Sequence, residues 1–288
     1  MFCAKAGAKK VIAVDKSNII TKAIDNVVRN NLSSTITCLK GAIEEVVLPV
    51  DKVDIIVSEW MGYCLLYEAM LPSVLFARDK YLKPDGLLVP SHAVLRIAPF
   101  SDPQYVSDNI AYWRDVYGFD MKAMQEGIYD DARVEVVPEQ SICGTSHPFR
   151  IINLSKVQVD DLVFTTNWRS SLYKDIDGLG GFVIWFDTFF ATSSSGSIVD
   201  ESTTPDGWAA QQAGQIALTT GPFTKDTHWK QGLLLTPTKQ PEEHLKVACQ
   251  LTGTVKFVIA ENNARALAIH ISWAADDQEQ RERKWDLK

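Results

Sequence analysis

The sequence predicts an α/β segment followed by an all-β segment. In the first ninety residues, short apolar strands alternate with amphipathic helices, a pattern typical of a doubly wound parallel sheet. After Pro90, turn residues separate a series of strands with few helical segments between them, which predicts an antiparallel barrel or sandwich. We therefore predict two domains, at residues 1–90 and 91–288.

Composition narrows the class of protein. Of the 288 residues, 46% are hydrophobic and 23% are charged, as in ordinary globular proteins. The net charge of −7 disfavours nucleic-acid binding, which needs clustered Lys and Arg, and it suits either a basic protein substrate or simple solubility. Five scattered cysteines without a Cys-x-x-Cys pair suggest no metal site and favour the cytoplasm or nucleus. We expect no membrane association and no secretion, because no apolar run reaches roughly 18 residues and no signal-peptide centre is present.

The first domain shows the alternation element by element. The predicted elements are a helix end at 1–6, strands at 11–14, 35–39 and 53–57, and a helix at 17–30. Gly7 suits a left-handed helix C-cap, and Ser17 suits an N-cap. Ligands of such sheets bind beyond the carboxyl ends of the strands. The acidic residues at or just past such ends are Asp15, Glu44 and Glu59.

Asp15 has two interpretations. In nucleotide-binding sheets, an acidic residue at the end of the second strand binds ribose hydroxyls, about 20 residues after a glycine-rich turn. Counting back from Asp15 runs past residue 1, so this interpretation makes the Rossmann-like sheet incomplete and expects its first strand and glycine-rich loop upstream. The alternative is that Asp15 begins an Asp-Lys-Ser turn.

A loop with a carboxylate at each end follows the third strand. Residues 53–68 read Val-Asp-Ile-Ile-Val-Ser-Glu-Trp-Met-Gly-Tyr-Cys-Leu-Leu-Tyr-Glu, with Glu59 and Glu68 flanking the loop. Two carboxylates that face one pocket repel each other unless the pocket receives a cation. A planar guanidinium fits best, because one carboxylate can hold its N–H fork while the other orients the remaining nitrogen. The alternative is a pair of solvated glutamates.

The second domain contains a series of strands and two interruptions. Strands are predicted at 94–98, 133–137, 156–159, 162–165, 181–190, 232–235, 245–251, 255–259 and 266–273. Residues 102–131 form an aromatic, helix-compatible insertion that either packs on its own barrel or projects as an arm. Residues 192–215, with serine and glycine runs, predict an extended, mobile hairpin loop. The charged tail from Ala274 is expected to fray.

Three motifs resemble the protein arginine N-methyltransferases of the asymmetric-dimethylating type. Residues 58–68 match the double-glutamate loop of that family, residues 40–45 its adenine-side segment, and residues 227–229 its Thr-His-Trp motif. Together with Val-Tyr-Gly-Phe-Asp-Met at 116–121, they follow the family's order over nearly the whole chain. The resemblance implies transfer of a methyl group from S-adenosylmethionine to the guanidinium nitrogen of arginine in protein substrates.

The resemblance also implies roles for individual residues. Glu59 and Glu68 would clamp the substrate guanidinium, and His228, which spacing alone would make structural, would support them or carry the proton. The implied cofactor-binding residues are Asp15, at a position where the family usually has glutamate, Ile43, Glu44, Met70 and Ser73. The implied residues of the substrate pocket are Trp60, Met61 and Trp229.

For the architecture, the resemblance implies a β-barrel as the second domain, with substrate bound between the domains. It also implies that the 102–131 arm docks on the sheet domain of a second subunit to form a homodimer. Because no glycine-rich loop precedes Asp15, we expect the 288 residues to be inactive alone. The alternatives are a non-catalytic interaction protein that keeps the arm and barrel, and a nucleotide-dependent oxidoreductase. The glutamate pair disfavours the latter, because a hydride acceptor needs no guanidinium clamp.

Overall fold

The structure is a computed structural model and describes residues 1–194, 198–237, 244–260, 262–276 and 278–288. Contacts divide the chain into a first unit, Met1–Ile56 with Pro72–Leu87, and a second unit, Val57–Leu71 with Leu88–Lys288. The expected boundary at residue 90 therefore differs in one respect, because the contacts assign Val57–Leu71 to the second unit. Glu59 and Glu68 thus belong with the all-β part of the chain.

The α/β part follows the predicted alternation. Its elements are α1 (Phe2–Lys5), β1 (Val11–Asp15), α2 (Ile19–Arg29), β2 (Ile36–Lys40), β3 (Val53–Val57), α3 (Leu71–Tyr81) and β4 (Leu82–Val89). Strand β1 pairs in parallel with β2, and β3 pairs with β4. Gly7 has a φ of +99°, which a left-handed helix cap requires. The N-cap of α2 is Asn18, one residue after the predicted Ser17.

The all-β part contains ten strands among the described residues. Its elements are β5 (His92–Phe100), α4 (Pro103–Asn109), β6 (Arg133–Glu135), β7 (His147–Asn153), β8 (Phe164–Ser171), β9 (Gly181–Phe190), α5 (Pro205–Gln211), β10 (Ile216–Thr219), β11 (Gln231–Leu235), β12 (Gln250–Ala260), β13 (Asn263–Ala275) and β14 (Arg281–Leu287). One sheet has the order β6-β11-β9-β5-β7, with β10 beside β9, and the other has the order β14-β13-β12-β8. All of these strand pairs are antiparallel.

The two antiparallel sheets share one aromatic core. The ring of Phe182 in β9 lies 5.2 Å, centroid to centroid, from the rings of both Trp168 in β8 and Trp273 in β13. At another place, Phe149 of β7 faces Phe164 of β8 at 6.4 Å. All five side chains are buried, and aromatic burial of this kind dominates core energetics. The predicted antiparallel domain is therefore present, although the strand pairs of the described residues form two sheets and not one closed ring.

One predicted strand and one predicted loop of this domain are wrong. Residues 156–159, predicted as a strand, end a turn and lead into a 3-10 helix, Val159–Leu162, because Gln158 and Asp161 make a reciprocal cap. The 192–215 segment is not extended throughout, because it contains α5, capped by the Thr204 side chain, which accepts a hydrogen bond from Gly207 N–H. Trp208 of α5 is fully buried against Phe189 and His92. Residues 195–197 of the predicted loop lie outside the described residues.

The prediction that the charged tail frays is also wrong. Residues 281–287 form β14, which pairs with β13 along its whole length. Trp285 of β14 is fully buried, and its indole N–H donates to the carbonyl of Leu235 at 2.9 Å. Backbone pairing with β13, burial of the Trp285 ring and its hydrogen bond therefore fix a segment whose other residues are mostly charged.

The 102–131 insertion has a packed base and an exposed tip. At its base, Tyr105 and Val106 of α4, with Ile128 and Tyr129 of the return segment, pack against the core cluster of the second unit. The tip contains short 3-10 helices at Ala111–Arg114 and Lys122–Gln125. Its exposed apolar side chains are Tyr112, Tyr117, Phe119, Met121 and Met124. No helix in the described part of the chain is long and apolar enough to cross a membrane.

Candidate active site

The loop between Glu59 and Glu68 is fixed by its buried middle. Its buried side chains are Trp60, Met61, Cys64, Leu65 and Leu66, whereas Glu59, Tyr63 and Glu68 are exposed. Gly62 N–H donates to the Leu65 carbonyl at 2.9 Å, and Leu65 N–H donates back at 3.0 Å. A Cβ at Gly62 would lie 1.8 Å from the Tyr67 carbonyl oxygen, so only glycine fits. The loop therefore presents its two carboxylates from a rigid frame.

Glu68 is placed by contacts with β13. Its φ is +78°, a left-handed conformation that costs a non-glycine residue about 1 kcal/mol or more and persists only where neighbours enforce it. The enforcing contact is the Glu68 N–H, which donates to the carbonyl of Arg265 at 2.8 Å. The Arg265 guanidinium lies 3.8 Å from the Glu68 carboxylate, measured from Nη2 to Oε2. The Glu68 side chain remains 50% exposed, so the carboxylate is both positioned and accessible.

The Thr-His-Trp segment is joined to the same loop. The indole N–H of Trp229 donates to the carbonyl of Met61 at 2.7 Å, across 168 residues of sequence. The Trp229 ring also meets the ring of Phe186 edge-on at 5.6 Å. His228 is exposed, and its ring lies 3.8 Å from that of Trp229. The fold therefore brings the predicted residues Glu59, Glu68, His228 and Trp229 into one connected substructure of the second unit.

Gly232 of β11 leaves the space that the Cys64 side chain of the loop occupies. A Cβ at Gly232 would lie 2.3 Å from Cys64 Sγ, so a side chain there would displace the loop. Burial raises the pKa of the Cys64 thiol to about 12, which keeps this thiol neutral at physiological pH. Cys64 therefore packs as a small apolar group.

Two buried polar atoms of this substructure lack a partner. Trp60 Nε1 and Thr227 Oγ1 have no hydrogen-bond partner among the described residues. Such atoms are uncommon in folded proteins, and each one calls for an explanation. Both belong to the segments that the sequence singled out, one to the double-glutamate loop and one to the Thr-His-Trp motif.

Asp15 adopts the turn that the sequence offered as one of its two interpretations. Its Oδ1 accepts hydrogen bonds from the Ser17 N–H at 2.7 Å and from the Ser17 hydroxyl at 2.6 Å. Both bonds use the same oxygen, so the other carboxylate oxygen takes no part in the turn. Asp15 is half-buried at the carboxyl end of β1.

The other predicted cofactor residues are divided between the units. Ile43 is half-buried and Glu44 is exposed in the turn after β2, and Ser73 is half-buried in the first turn of α3. These three residues belong with Asp15 to the first unit, whereas the exposed Met70 belongs to the second. Arg265, which contacts Glu68, was not predicted, because no motif links it to the double-glutamate loop.

Comparisons with known proteins bear on the family of the chain. A family model described as the arginine methyltransferase oligomerization subdomain matches residues 91–278. Among curated relatives, the ribosomal protein arginine N-methyltransferase rmt3 of Schizosaccharomyces pombe is 41% identical over 274 residues, which is 95% of this chain and 48% of the relative. Protein arginine N-methyltransferase 1 of the same yeast is 39% identical over 279 residues, which is 97% of this chain and 75% of the relative. The chain thus spans about half of the first relative and three quarters of the second.

Solved structures give the same result. A Trypanosoma brucei PRMT1 enzyme-prozyme heterotetrameric complex with AdoHcy superposes with a TM-score of 0.84 at 28% identity, covering 100% of this chain and 84% of that chain. Arabidopsis thaliana protein arginine methyltransferase 10 superposes with a TM-score of 0.76 at 26% identity, covering 99% and 84%. Since a family model covers more than half of the chain and a curated relative is matched over most of both sequences, the chain belongs to the S-adenosylmethionine-dependent protein arginine methyltransferases.

Proposed function

We propose that this protein methylates arginine side chains of protein substrates and forms monomethylarginine and then asymmetric dimethylarginine. The observation that carries the proposal is the hydrogen bond from the Trp229 indole to the Met61 carbonyl. It connects His228 and Trp229 to the loop of Glu59 and Glu68 within one unit. Membership of the methyltransferase family supports the reaction class, and the two exposed carboxylates support a cationic substrate.

In the proposed mechanism, Glu59 and Glu68 bind the substrate guanidinium. One ionised carboxylate accepts two N–H bonds side by side, and the other orients the remaining nitrogen. S-adenosylmethionine, when bound, would supply an electrophilic methyl group on a sulfonium. Glu59 and Glu68 would hold the accepting nitrogen of the substrate in line with that methyl group, and methyl transfer is sensitive to this alignment. His228 accepts or relays the proton that the methylated nitrogen loses, and Trp60, Met61 and Trp229 surround the pocket.

For the cofactor, we propose that Asp15 binds the ribose and that Ile43 and Glu44 meet the adenine. Met70 and Ser73 complete the cofactor side. The free carboxylate oxygen of Asp15 supports this assignment, because the Ser17 turn occupies only the other one. We also propose a cytoplasmic or nuclear location, which Cys3, Cys38, Cys64 and Cys143 support, because none of these four thiols is in a disulfide.

We propose that the two antiparallel sheets are the walls of a barrel and that the α/β part is a Rossmann-like sheet. Contacts between the sheets support the barrel. Ala132 N–H, just before β6, donates to the carbonyl of Asp286 in β14 at 2.9 Å. Gly144 and Leu172 form a further bridge close to β7 and β8. The parallel pairing of β1 with β2 supports the Rossmann-like assignment.

We further propose a homodimer in which the tip of the 102–131 arm docks on a second subunit. The exposed Tyr117 and Phe119, 94% and 70% accessible, support an interface at the tip. Deleting the whole arm would also remove Tyr105 and Ile128, which pack on the core, so substitutions at the tip are the cleaner test. Tyr117→Ser with Phe119→Ser should give monomers by light scattering, and Ile198→Ser, at an exposed apolar residue outside the arm, is the control.

The test of function uses labelled S-adenosylmethionine and an acetyl-Gly-Arg-Gly-amide peptide. In a longer chain that binds the cofactor, Glu59→Gln and Glu68→Gln should each lower methylation at least about a hundredfold, because each removes a charge from the clamp. Cofactor affinity, measured by calorimetry, should stay unchanged in both variants. Glu282→Gln is the control, since Glu282 is an exposed glutamate of β14. Normal turnover in either clamp variant would refute the clamp.

The second candidate function is a non-catalytic interaction protein. Among the described residues, β1 pairs only with β2 and β3 only with β4, so each has an edge without backbone partners, and we expect weak cofactor binding and little activity of these 288 residues alone. The Trypanosoma relative is an enzyme-prozyme assembly, which makes an assembly role a natural alternative. Calorimetry decides between the two functions when the 288 residues are compared with a chain that is extended at its amino end. An extended dimer that does not bind S-adenosylmethionine would favour the second function, and tight binding by the extended chain would contradict it. Tight binding by the 288 residues themselves would contradict the expected weak cofactor binding.

A further inference from the structure

Arg265 lies beside one carboxylate of the proposed clamp. It is the third residue of β13, and its main-chain N–H donates to the Asn263 side-chain oxygen at 3.0 Å. Its carbonyl accepts the Glu68 N–H, while its guanidinium lies 3.8 Å from the Glu68 carboxylate. The main chain of Arg265 therefore positions Glu68, and its side chain places a cation next to the group that would bind the substrate cation.

The ion pair between Arg265 and Glu68 is longer and more exposed than the pair between Arg96 and Asp187 in the same unit. Arg96 lies 2.5 Å from Asp187, is almost completely buried, and also donates to the Thr203 carbonyl at 2.7 Å. The Arg265 side chain is 68% exposed, and its guanidinium makes no hydrogen bond to the described residues. A buried, multiply bonded pair is structural, whereas an exposed pair at 3.8 Å exchanges easily with other cations.

We propose that Arg265 is an internal competitor for the guanidinium site: its side chain neutralises Glu68 in the absence of substrate and leaves when a substrate arginine binds. This inference rests on the proposed function, because competition matters only if Glu68 binds substrate. A substrate guanidinium that also reaches Glu59 forms close, charge-assisted hydrogen bonds and displaces the more distant Arg265. The displacement lowers the apparent substrate affinity by the strength of one exposed ion pair, about two- to fivefold.

Substitution of the side chain can separate the two contacts of Arg265. Arg265→Ala removes the guanidinium but keeps the carbonyl that holds the Glu68 N–H, so the loop geometry should persist. Arg265→Lys keeps a cation in place. The charge-matched control is Lys246→Ala, because Lys246 forms an exposed pair with Asp175, at 3.1 Å, instead of with Glu68.

The experiment measures the Kd of acetyl-Gly-Arg-Gly-amide by tryptophan fluorescence, which does not require turnover. Arg265→Ala should bind the peptide about two- to fivefold more tightly than the parent chain, while Arg265→Lys and Lys246→Ala should stay close to the parent. The gain should shrink at about 0.5 M salt, because exposed pairs are screened there. A side chain with only a structural role would not produce this salt dependence.

Glu68→Gln separates failure of this inference from failure of the proposed function. If Glu68→Gln leaves the peptide Kd unchanged, the clamp itself is refuted. If Glu68→Gln weakens binding but Arg265→Ala does not strengthen it, only the competitor is refuted. Binding that is undetectable in both the parent and Arg265→Ala would also overturn the inference, whereas binding detected only in Arg265→Ala would support it.

Discussion

The two parts of the chain differ sharply in how deeply their strands are buried. In the all-β part, every residue of β5 and all but the last of β9 are buried. In the α/β part, no residue of β1 or β3 is buried, and Ile55 and Val57 of β3 are more than half exposed. Since the free energy gained from burial grows with the apolar area removed from water, the stability of the chain is concentrated in the all-β part.

The residues proposed to bind substrate and most of those proposed to bind cofactor lie in units that differ in burial. The proposed guanidinium residues are carried by the unit with the deep core, so its own packing sets their geometry. Most of the proposed cofactor residues are carried by the less buried unit. A ligand that binds only the folded form stabilises it in proportion to the logarithm of ligand concentration over Kd. We therefore expect cofactor binding to stabilise mainly the first unit.

The largest expected effect is on the core of the all-β part. Trp285→Ala removes a fully buried ring and its bond to the Leu235 carbonyl, and should lower the free energy of unfolding by about 3 to 5 kcal/mol. Ile55→Ala, at a half-exposed position of β3, should cost less than about 1 kcal/mol. Urea unfolding followed by circular dichroism measures both values. Similar losses of unfolding free energy in the two variants would contradict the conclusion that stability is concentrated in the all-β part.

A second test uses the pH dependence of the buried His92. Burial, followed by the charge of Lys156, lowers the pKa of His92 to about 4 from 6.5. The folded state therefore favours the neutral ring, so this stabilisation is complete above pH 6.5 and is lost as pH falls toward 4. The loss should reach about 3 kcal/mol.

His92→Phe should flatten the pH dependence in urea unfolding measured between pH 7 and about 4.5. A residual slope should remain, because burial also lowers the pKa values of His147 and His270. Ser91 keeps its hydrogen bond to the Phe189 carbonyl in this variant, so the local chain should stay in place. The same slope in His92→Phe as in the parent would show that the buried ring does not titrate as described.

The smallest expected effect is on the link between the Thr-His-Trp segment and the loop. Trp229→Phe keeps a ring near Phe186 but loses the N–H bond to Met61, which should cost about 1 kcal/mol. Hydrogen exchange at the Gly62 and Leu65 amides should become faster. Trp113→Phe, in the exposed tip of the arm, is the control. Unchanged exchange would mean that the buried middle alone holds the loop.

Strands with strong apolar runs were predictable from sequence, and mixed segments were not. The bounds of β3 and β9 agree with their predicted ranges, because each is an apolar run that ends abruptly. The strand β14 was missed because Trp285 and Leu287 are its only apolar residues and Arg and Lys surround them. Helix α5 was missed because Pro-Asp-Gly reads as a turn, although Thr204 followed by Pro205 is also a helix-start signal.

The candidate site shows the same limit. Sequence motifs located Glu59, Glu68 and His228 because each lies within a recognisable run. Nothing in the sequence indicated that Arg265 would reach Glu68, or that Gly232 would make room for Cys64, because these contacts arise from the pairing of distant strands. For Asp15, local chemistry predicted the turn that is observed, and the ribose role remains a prediction.

The buried Cys64 thiol allows opening of the loop to be followed by chemical labelling. Alkylating reagents attack the thiolate, and a thiol with a pKa of about 12 in a closed environment offers almost none. Cys3 and Cys38 are only half-buried and should be labelled first. Cys64 would be modified only in molecules whose loop has separated from β11. The rate of Cys64 modification therefore reports how often the loop that carries Glu59 and Glu68 opens.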